Sequence, residues 1–167
     1  RGLPGPVSAL ALSVDGHTVI GAHGQEARIW DSASGTLLKT LAVPDGPVHA
    51  MVALADGRFL LVAAEKGPLA IWDLVSGRQV KTWARQPGHV TCLSLLPGGR
   101  LVASGGSDRL VRLWDPTTGQ CVMEMKGHDD GVTAVAAGAT RLASASRDGT
   151  VRLWAIETEG LSNTSRS

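Results

Sequence analysis

The 167-residue sequence has few aromatic residues, few cysteines and no long hydrophobic segments. It contains no Tyr, one Phe and two Cys, Cys92 and Cys121. So few cysteines argue against a disulfide-stabilised secreted scaffold and favour a reducing compartment, where we expect both to be buried, reduced thiols. No apolar run approaches the roughly 18–20 residues that a membrane-spanning helix needs.

Neither sign of charge is in clear surplus. Sixteen basic residues face fifteen acidic ones, which gives a formal net charge of +1. Neither half of the chain, divided at residue 84, carries the basic surplus expected of a protein that binds nucleic acid or an anionic membrane. A hydrophobic content of 43% with 21 Gly instead indicates a turn-rich globular protein.

Four short apolar segments each end in Trp, and these Trp residues are spaced 42, 42 and 40 residues apart. The segments are Ala27–Trp30, Leu69–Trp72, Val111–Trp114 and Val151–Trp154. Asp follows the first three Trp residues. A period of about 40–45 residues with a Trp-Asp signature is typical of propeller blades. Over nearly its whole length the chain resembles the WD-repeat β-propeller family.

Each copy of the repeat contains apolar runs of about four to seven residues, bounded by Gly, Asp, Pro and Ser. This pattern predicts strands and tight turns, and no segment shows convincing helical periodicity. We therefore predict an all-β propeller of four consecutive blades of four-stranded antiparallel sheet, the last blade with three strands. The predicted ranges are 1–42, 43–84 and 85–127 for three blades, 128–155 for an incomplete fourth blade and 156–167 for a polar tail.

The fourth copy stops after its third predicted strand. In the WD-repeat family the first strand of the domain usually completes the last blade, and residues 1–6 are too short and too rich in Gly and Pro to do so. The resemblance therefore implies an incomplete arc, the C-terminal part of a larger ring. It also implies that the remaining propeller blades of the same full-length chain are among its partners.

Many WD repeats contain a buried hydrogen-bonded set of His, Ser or Thr, Asp and Trp. The fourth copy matches this set in full: His128, Ser144, Asp148 and Trp154. The third copy matches it in part, with Ser104, Asp108 and Trp114, and Gln86 stands at the His position. The first two copies keep only Trp, so we expect apolar packing to replace the network there.

The Ser, His and Asp of the fourth copy also allow a hydrolase interpretation. Because the Ser and Asp recur at repeat spacing in the third copy without the His, we favour a structural role and predict no catalytic residue. No pair of histidines has zinc-ligand spacing with the cysteines, so we predict no metal site. We also predict no cofactor, because no phosphate-binding loop is present.

The resemblance implies a non-catalytic scaffold for protein–protein interaction, because WD-repeat propellers typically assemble protein complexes. We expect a peptide or folded-domain partner to bind near the tight turns, at His23, Glu65, Ser107, Arg109 and Arg147. The alternative is a regulatory or sensor propeller of a larger signalling or nucleotide-binding protein. We expect an intracellular location, in the cytoplasm or the nucleus, and neither nucleic acid nor membrane as a partner.

Overall fold

The computed structural model describes residues 2–156, and the predicted polar tail from residue 157 onward lies outside the described residues. Blade 1 comprises β1 (Ala9–Leu12), β2 (Thr18–His23), β3 (Glu26–Asp31) and β4 (Leu37–Ala42). Blade 2 comprises β5 (Val48–Ala53), β6 (Phe59–Ala64), β7 (Ala70–Asp73) and β8 (Arg78–Thr82). Blade 3 comprises β9 (Val90–Leu95), β10 (Val102–Gly106), β11 (Val111–Trp114) and β12 (Cys121–Met125). Blade 4 comprises β13 (Val132–Ala137), β14 (Arg141–Ser146) and β15 (Val151–Ala155).

Within each blade, consecutive strands pair antiparallel to one another, so every blade is a meander. Among residues 2–156 the first three sheets have four strands and the fourth has three. The prediction of an all-β propeller with a three-stranded last blade is therefore confirmed. Residues 2–156 contain no helix that is long and apolar enough to cross a membrane.

The strand that ends in Trp carries the same irregularity in blades 1, 2 and 3. Its pairing with the outermost strand shifts register immediately before Trp30, Trp72 and Trp114. A bulge of this kind adds local twist to the strand. Because this register shift recurs in three blades, the repeated sequence produces the same backbone geometry as well as the same side chains.

Neighbouring blades pack through apolar side chains, which explains why the strands are apolar on both faces. Between blades 1 and 2 the buried cluster includes Ile20, Ile29, Leu41, Leu60, Val62 and Trp72. Between blades 2 and 3 it includes Leu61, Ile71, Trp83, Val102 and Trp114. Between blades 3 and 4 it includes Val111, Leu113, Met125, Val132 and Leu142. An internal blade thus has two buried faces, unlike a sheet with one solvated face.

The two end blades each leave one apolar face exposed. Val111 and Leu113 are 0% exposed, whereas Val151 and Leu153, in the same Val-Arg-Leu-Trp motif of blade 4, are 71% and 66% exposed. The difference arises because blade 4 covers the first pair, and nothing among residues 2–156 covers the second. Leu10 on β1 is likewise 69% exposed.

A lysine clamp joins the outer strand of one blade to a turn of the next at two of the three interfaces. Lys39 on β4 donates to the carbonyl oxygens of Leu74 and Val75. The equivalent lysine, Lys81 on β8, donates to the carbonyl oxygens of Thr117 and Thr118 at 2.9 and 3.1 Å. On β12, Met123 takes the lysine position and offers no donor.

The prediction that both cysteines are buried is wrong for Cys121. Cys121 is exposed because it lies on β12, the outermost strand of blade 3, whereas Cys92 is half-buried on the inner strand β9. Both are free thiols, and partial burial raises the pKa of each.

Candidate functional site

A continuous hydrogen-bonded chain crosses blade 4 from β15 to the turn between β14 and β15. Trp154 Nε1 donates to Ser144 Oγ at 2.8 Å, and Ser144 Oγ lies 2.8 Å from His128 Nε2. His128 Nδ1 lies 2.9 Å from Asp148 Oδ2. The Ser144 hydroxyl and the Asp148 carboxylate thus hold both ring nitrogens of His128 and complete the chain. The network satisfies polar groups that would otherwise be buried without partners.

Asp148 also fixes the backbone of this turn. Thr150 donates to Asp148 Oδ1 through its hydroxyl at 2.6 Å and its backbone N–H at 2.8 Å, and Asp129 N–H donates to Oδ2 at 2.9 Å. These bonds, the Thr150 hydroxyl first, hold the pKa of Asp148 well below its usual range. These bonds hold the turn that also contains the exposed Arg147.

The same geometry argues against hydrolysis by Ser144. Ser144 is 1% exposed and His128 is 6% exposed. The Ser144 oxygen already accepts the indole N–H of Trp154. A nucleophile needs an open path to a carbonyl carbon, and this serine lies inside the blade.

Blade 3 makes a corresponding connection with different residues. Trp114 Nε1 donates to Ser104 Oγ at 2.9 Å. Gln86 stands in the place of His, and the buried Arg112 donates to its Oε1 at 3.0 Å. Arg112 Nη2 also lies 2.7 Å from Asp108 Oδ2. Arg112 therefore links Gln86 to the turn aspartate, a connection that His128 makes directly in blade 4.

Glu124 on β12 completes the Arg112 cluster, with Oε1 at 2.8 Å from Arg112 Nε. Sequence reasoning missed Arg112. Its signal was the basic residue two positions before Trp in three copies, Arg28, Arg112 and Arg152.

Blade 2 has no such network, because Val62 occupies the position of Ser104 and Ser144. Val62 is buried, and Trp72 Nε1 is also buried with no hydrogen-bond partner among the described residues. Apolar packing replaces the network here, and the indole N–H of Trp72 remains without a partner, as does that of Trp83 directly after β8.

The five sequence-predicted binding residues all lie at turns between the second and third strands of their blades. His23 ends β2, Glu65 follows β6, Ser107 and Arg109 lie between β10 and β11, and Arg147 lies between β14 and β15. Because successive blades stack in the same orientation, these turns share one face of the arc. We call it the turn face.

His89, which sequence reasoning did not include, joins two blades on the turn face. Its Nδ1 lies 2.7 Å from the carbonyl oxygen of Glu65 in blade 2. Its backbone N–H donates to Ser107 Oγ in blade 3 at 2.9 Å. Glu65 and Ser107 are thus held in a fixed relation across the blade interface.

The repeat motifs match a known family model. The model described as "WD domain, G-beta repeat" matches residues 77–115 and 119–155. The matched ranges contain Trp114 and Trp154, the two Trp residues with a serine partner. Residues 77–115 and 119–155 are thus similar to WD repeats, which supports the WD-repeat family for this chain. The resemblance predicted from the Trp period is therefore confirmed.

A curated WD-repeat relative and several solved structures are similar to this chain. The "Uncharacterized WD repeat-containing protein sll1491" of Synechocystis sp. is 40% identical over 60 residues, which is 35% of this chain and 17% of that protein. The computationally designed Ika4 protein is 25% identical, with a TM-score of 0.79 over 94% of this chain and 95% of its own.

Two larger solved structures share the same arrangement of blades. U3-55K is 27% identical with a TM-score of 0.83, and the WD40 repeats of RRP9 are 26% identical with a TM-score of 0.85. The present chain is covered to 93% in both cases and spans 50% of each of those chains. Propellers of the WD-repeat family typically serve as platforms for protein interaction.

Arg109 is the residue of this WD-repeat turn face with unusual backbone geometry. It is the one non-glycine residue with positive φ, at 71°, among the described residues. At the same distance from Trp, blade 4 has Gly149 with a φ of 80°. A side chain in this region costs about 1 kcal/mol relative to glycine. The exposed guanidinium of Arg109 is therefore presented at an energetic cost.

Proposed function

We propose that this chain is a non-catalytic scaffold that binds a protein partner on its turn face. The partner is a peptide or a folded domain that contacts His23, Glu65, Ser107, Arg109 and Arg147. We propose an intracellular location, which the two free thiols support.

The observation that carries this proposal is the strained, exposed Arg109. A glycine would adopt this positive φ without strain, as Gly149 does in blade 4. Strained residues cluster at ligand-binding sites, and Arg is enriched among residues that dominate binding energy. An arginine held in this conformation is better explained by a contact it makes with a partner than by stability.

The rigid support beneath the turns favours the same conclusion. The Asp148 network fixes the turn that carries Arg147, and His89 fixes Glu65 against Ser107. Side chains held in advance lose less conformational entropy on binding. A turn face supported in this way is suited to recognition.

Quantitative affinity capture with the double variant Arg109→Ala/Arg147→Ala tests the proposal. Arg141→Ala is the matched control, because Arg141 is an exposed arginine at the start of β14, at the end of blade 4 opposite the turn face. We expect proteins recovered with the wild-type chain to be lost with the double variant and retained with the control. Recovery of the same proteins at the same levels by all three chains would refute this site assignment.

A further inference from the structure

The residue two positions after the repeat Trp differs in kind at one of the three blade interfaces. Leu74 follows Trp72 and packs against the cluster between blades 1 and 2. Ile156 follows Trp154, is 4% exposed and packs in the cluster between blades 3 and 4. Between blades 2 and 3 the equivalent residue is Pro116. Proline has a smaller side chain than Leu or Ile, so it fills this space less completely.

A groove of about 430 Å³ opens at that interface. Its lining includes Leu54, Phe59, Ile71, Val80, Gly99 and Pro116. This volume lies within the roughly 300–1,000 Å³ that is typical of ligand sites. The groove is on the opposite side of the blades from the turn face, because Gly99 and Pro116 belong to the turns that follow β9 and β11.

One side of the groove is held open by a fixed contact. Lys81 lines the groove, and its ammonium group donates to the carbonyl oxygens of Thr117 and Thr118 in the next blade. Val80, beside it, is 54% exposed. The groove therefore has an exposed apolar wall and a braced end before any ligand arrives.

The charge available at the margin of the groove is positive. Arg78 pairs with Asp73, which is on the same face of β7 as the groove residue Ile71, and Arg100 follows Gly99. Both arginines are exposed, and neither forms an ion pair with a carboxylate among the described residues.

The nearby carboxylates are already engaged. Asp73 accepts two hydrogen bonds from Arg58, at 3.0 and 2.9 Å. Asp56 accepts the backbone N–H groups of Arg58 and Phe59. Arg58 neutralises Asp73, whereas Asp56, which lines the groove, keeps its negative charge. An approaching acidic segment therefore meets Arg78, Arg100 and Lys81 together with the charge of Asp56.

We propose that this groove binds a Leu or Ile side chain from an acidic segment of a partner protein. The chain itself shows which side chain suits the space, because Leu74 and Ile156 fill the equivalent position at the neighbouring interfaces. Arg78 and Arg100 favour acidic residues on either side of that Leu or Ile. The site is separate from the turn face and does not depend on it.

Fluorescence polarisation with a labelled probe peptide, Asp-Glu-Asp-Leu-Glu-Asp-Glu, tests the apolar part of the proposal. The matched peptide replaces the central Leu with Gly at the same charge. Burial of a Leu side chain predicts that the Gly peptide binds roughly tenfold or more weakly. Equal binding of the two peptides would overturn the proposal.

Two substitutions in the chain locate the binding. Pro116→Leu restores the residue type of the neighbouring interfaces, so we expect it to fill the groove and weaken binding of the Leu peptide by roughly tenfold or more. Val80→Asp places a negative charge at an exposed wall position and has the same expected effect. Val122→Asp is the control, because Val122 is the equivalent exposed residue on β12. Unchanged binding by Pro116→Leu and Val80→Asp, or equal weakening by Val122→Asp, would overturn the assignment.

Charge and independence from the turn face are tested with the same probe. Arg78→Glu/Arg100→Glu should weaken binding of the Leu peptide several-fold at low salt, with a smaller effect at high salt. Arg109→Ala/Arg147→Ala should leave peptide binding unchanged. Loss of peptide binding by Arg109→Ala/Arg147→Ala would refute a groove site that is separate from the turn face. If this variant loses proteins in affinity capture but still binds the peptide, only the turn face is involved in that loss.

Discussion

Removal of Ser144 should destabilise the chain more than any other single-hydroxyl change in the repeat networks. Ser144 Oγ accepts from Trp154 Nε1 and lies within hydrogen-bond distance of His128 Nε2. Ser144→Ala leaves both groups without a partner. A buried polar group without a partner costs roughly 1–3 kcal/mol, and the half-buried Trp154 ring contributes the smaller part, so we expect about 2–4 kcal/mol.

The matched change in blade 3 should cost less. Ser104 serves only the indole of Trp114, which is 2% exposed. Ser104→Ala therefore leaves one buried donor without a partner and should cost about 1–3 kcal/mol.

Blade 2 offers the reverse experiment. Val62→Ser places a hydroxyl where Trp72 Nε1 has no partner. The loss of apolar burial, about 1.5–3 kcal/mol, is offset by the new hydrogen bond. Val102→Ser makes the same replacement beside Trp114, whose N–H is already bonded, and should cost roughly 1–3 kcal/mol more than Val62→Ser.

Urea unfolding followed by far-ultraviolet circular dichroism measures all four variants, with midpoint and slope fitted separately. The reasoning is refuted if Ser144→Ala costs no more than Ser104→Ala. It is also refuted if Val62→Ser costs as much as Val102→Ser. A changed slope would show that the variant alters the amount of surface exposed on unfolding and must be set aside.

Three further predictions concern charged side chains. Arg109→Gly should raise the free energy of unfolding by about 1 kcal/mol, measured by urea unfolding, because glycine adopts the positive φ without strain. The same substitution should weaken partner binding in affinity capture. Unchanged stability would show that the positive φ carries no strain. Arg112→Met should cost about 3–5 kcal/mol in the same unfolding assay, because Asp108 would lose its buried partner, and a loss below 1 kcal/mol would contradict a supporting role. The pKa values of Asp73 and Asp148 are lowered on folding, by the Arg58 hydrogen bond and the Thr150 hydroxyl first, so their stabilisation is complete above about pH 4 and is lost as pH falls further. Asp148→Asn should reduce that acid dependence in urea titrations at pH 7 and pH 3, and an unaltered dependence would show that Asp148 does not contribute.

The fold was predictable because the Trp period alone identifies blades that share one geometry. The bulge before Trp30, Trp72 and Trp114 shows that the three copies share a backbone irregularity as well as buried apolar residues. The residues of the blade 4 network were predictable for the same reason, since Ser144 and Asp148 stand at fixed distances from Trp154.

Features that depend on one copy alone were not predictable. Arg112 reaches Gln86 across 26 residues, and no other blade repeats that pair. His89 joins Glu65 to Ser107 only because two blades meet there. Sequence spacing specifies what the copies share, whereas these contacts arise where a copy departs from the pattern.

The lysine clamps give the arc unequal mechanical strength along its length. Lys39 and Lys81 tie blade 1 to blade 2 and blade 2 to blade 3 through charged hydrogen bonds to backbone carbonyls, and Met123 makes no such bond between blades 3 and 4. Under tension applied between the first and last strands, the interface of blades 3 and 4 has no lysine contact of this kind and resists through apolar packing and hydrogen bonds from Thr91 Oγ1 to the carbonyl oxygen of Val132 and from Ala137 N–H to Ser94 Oγ. Blade 4 should therefore separate first. Acetylation of Lys39 or Lys81 would weaken the other two interfaces toward the same behaviour.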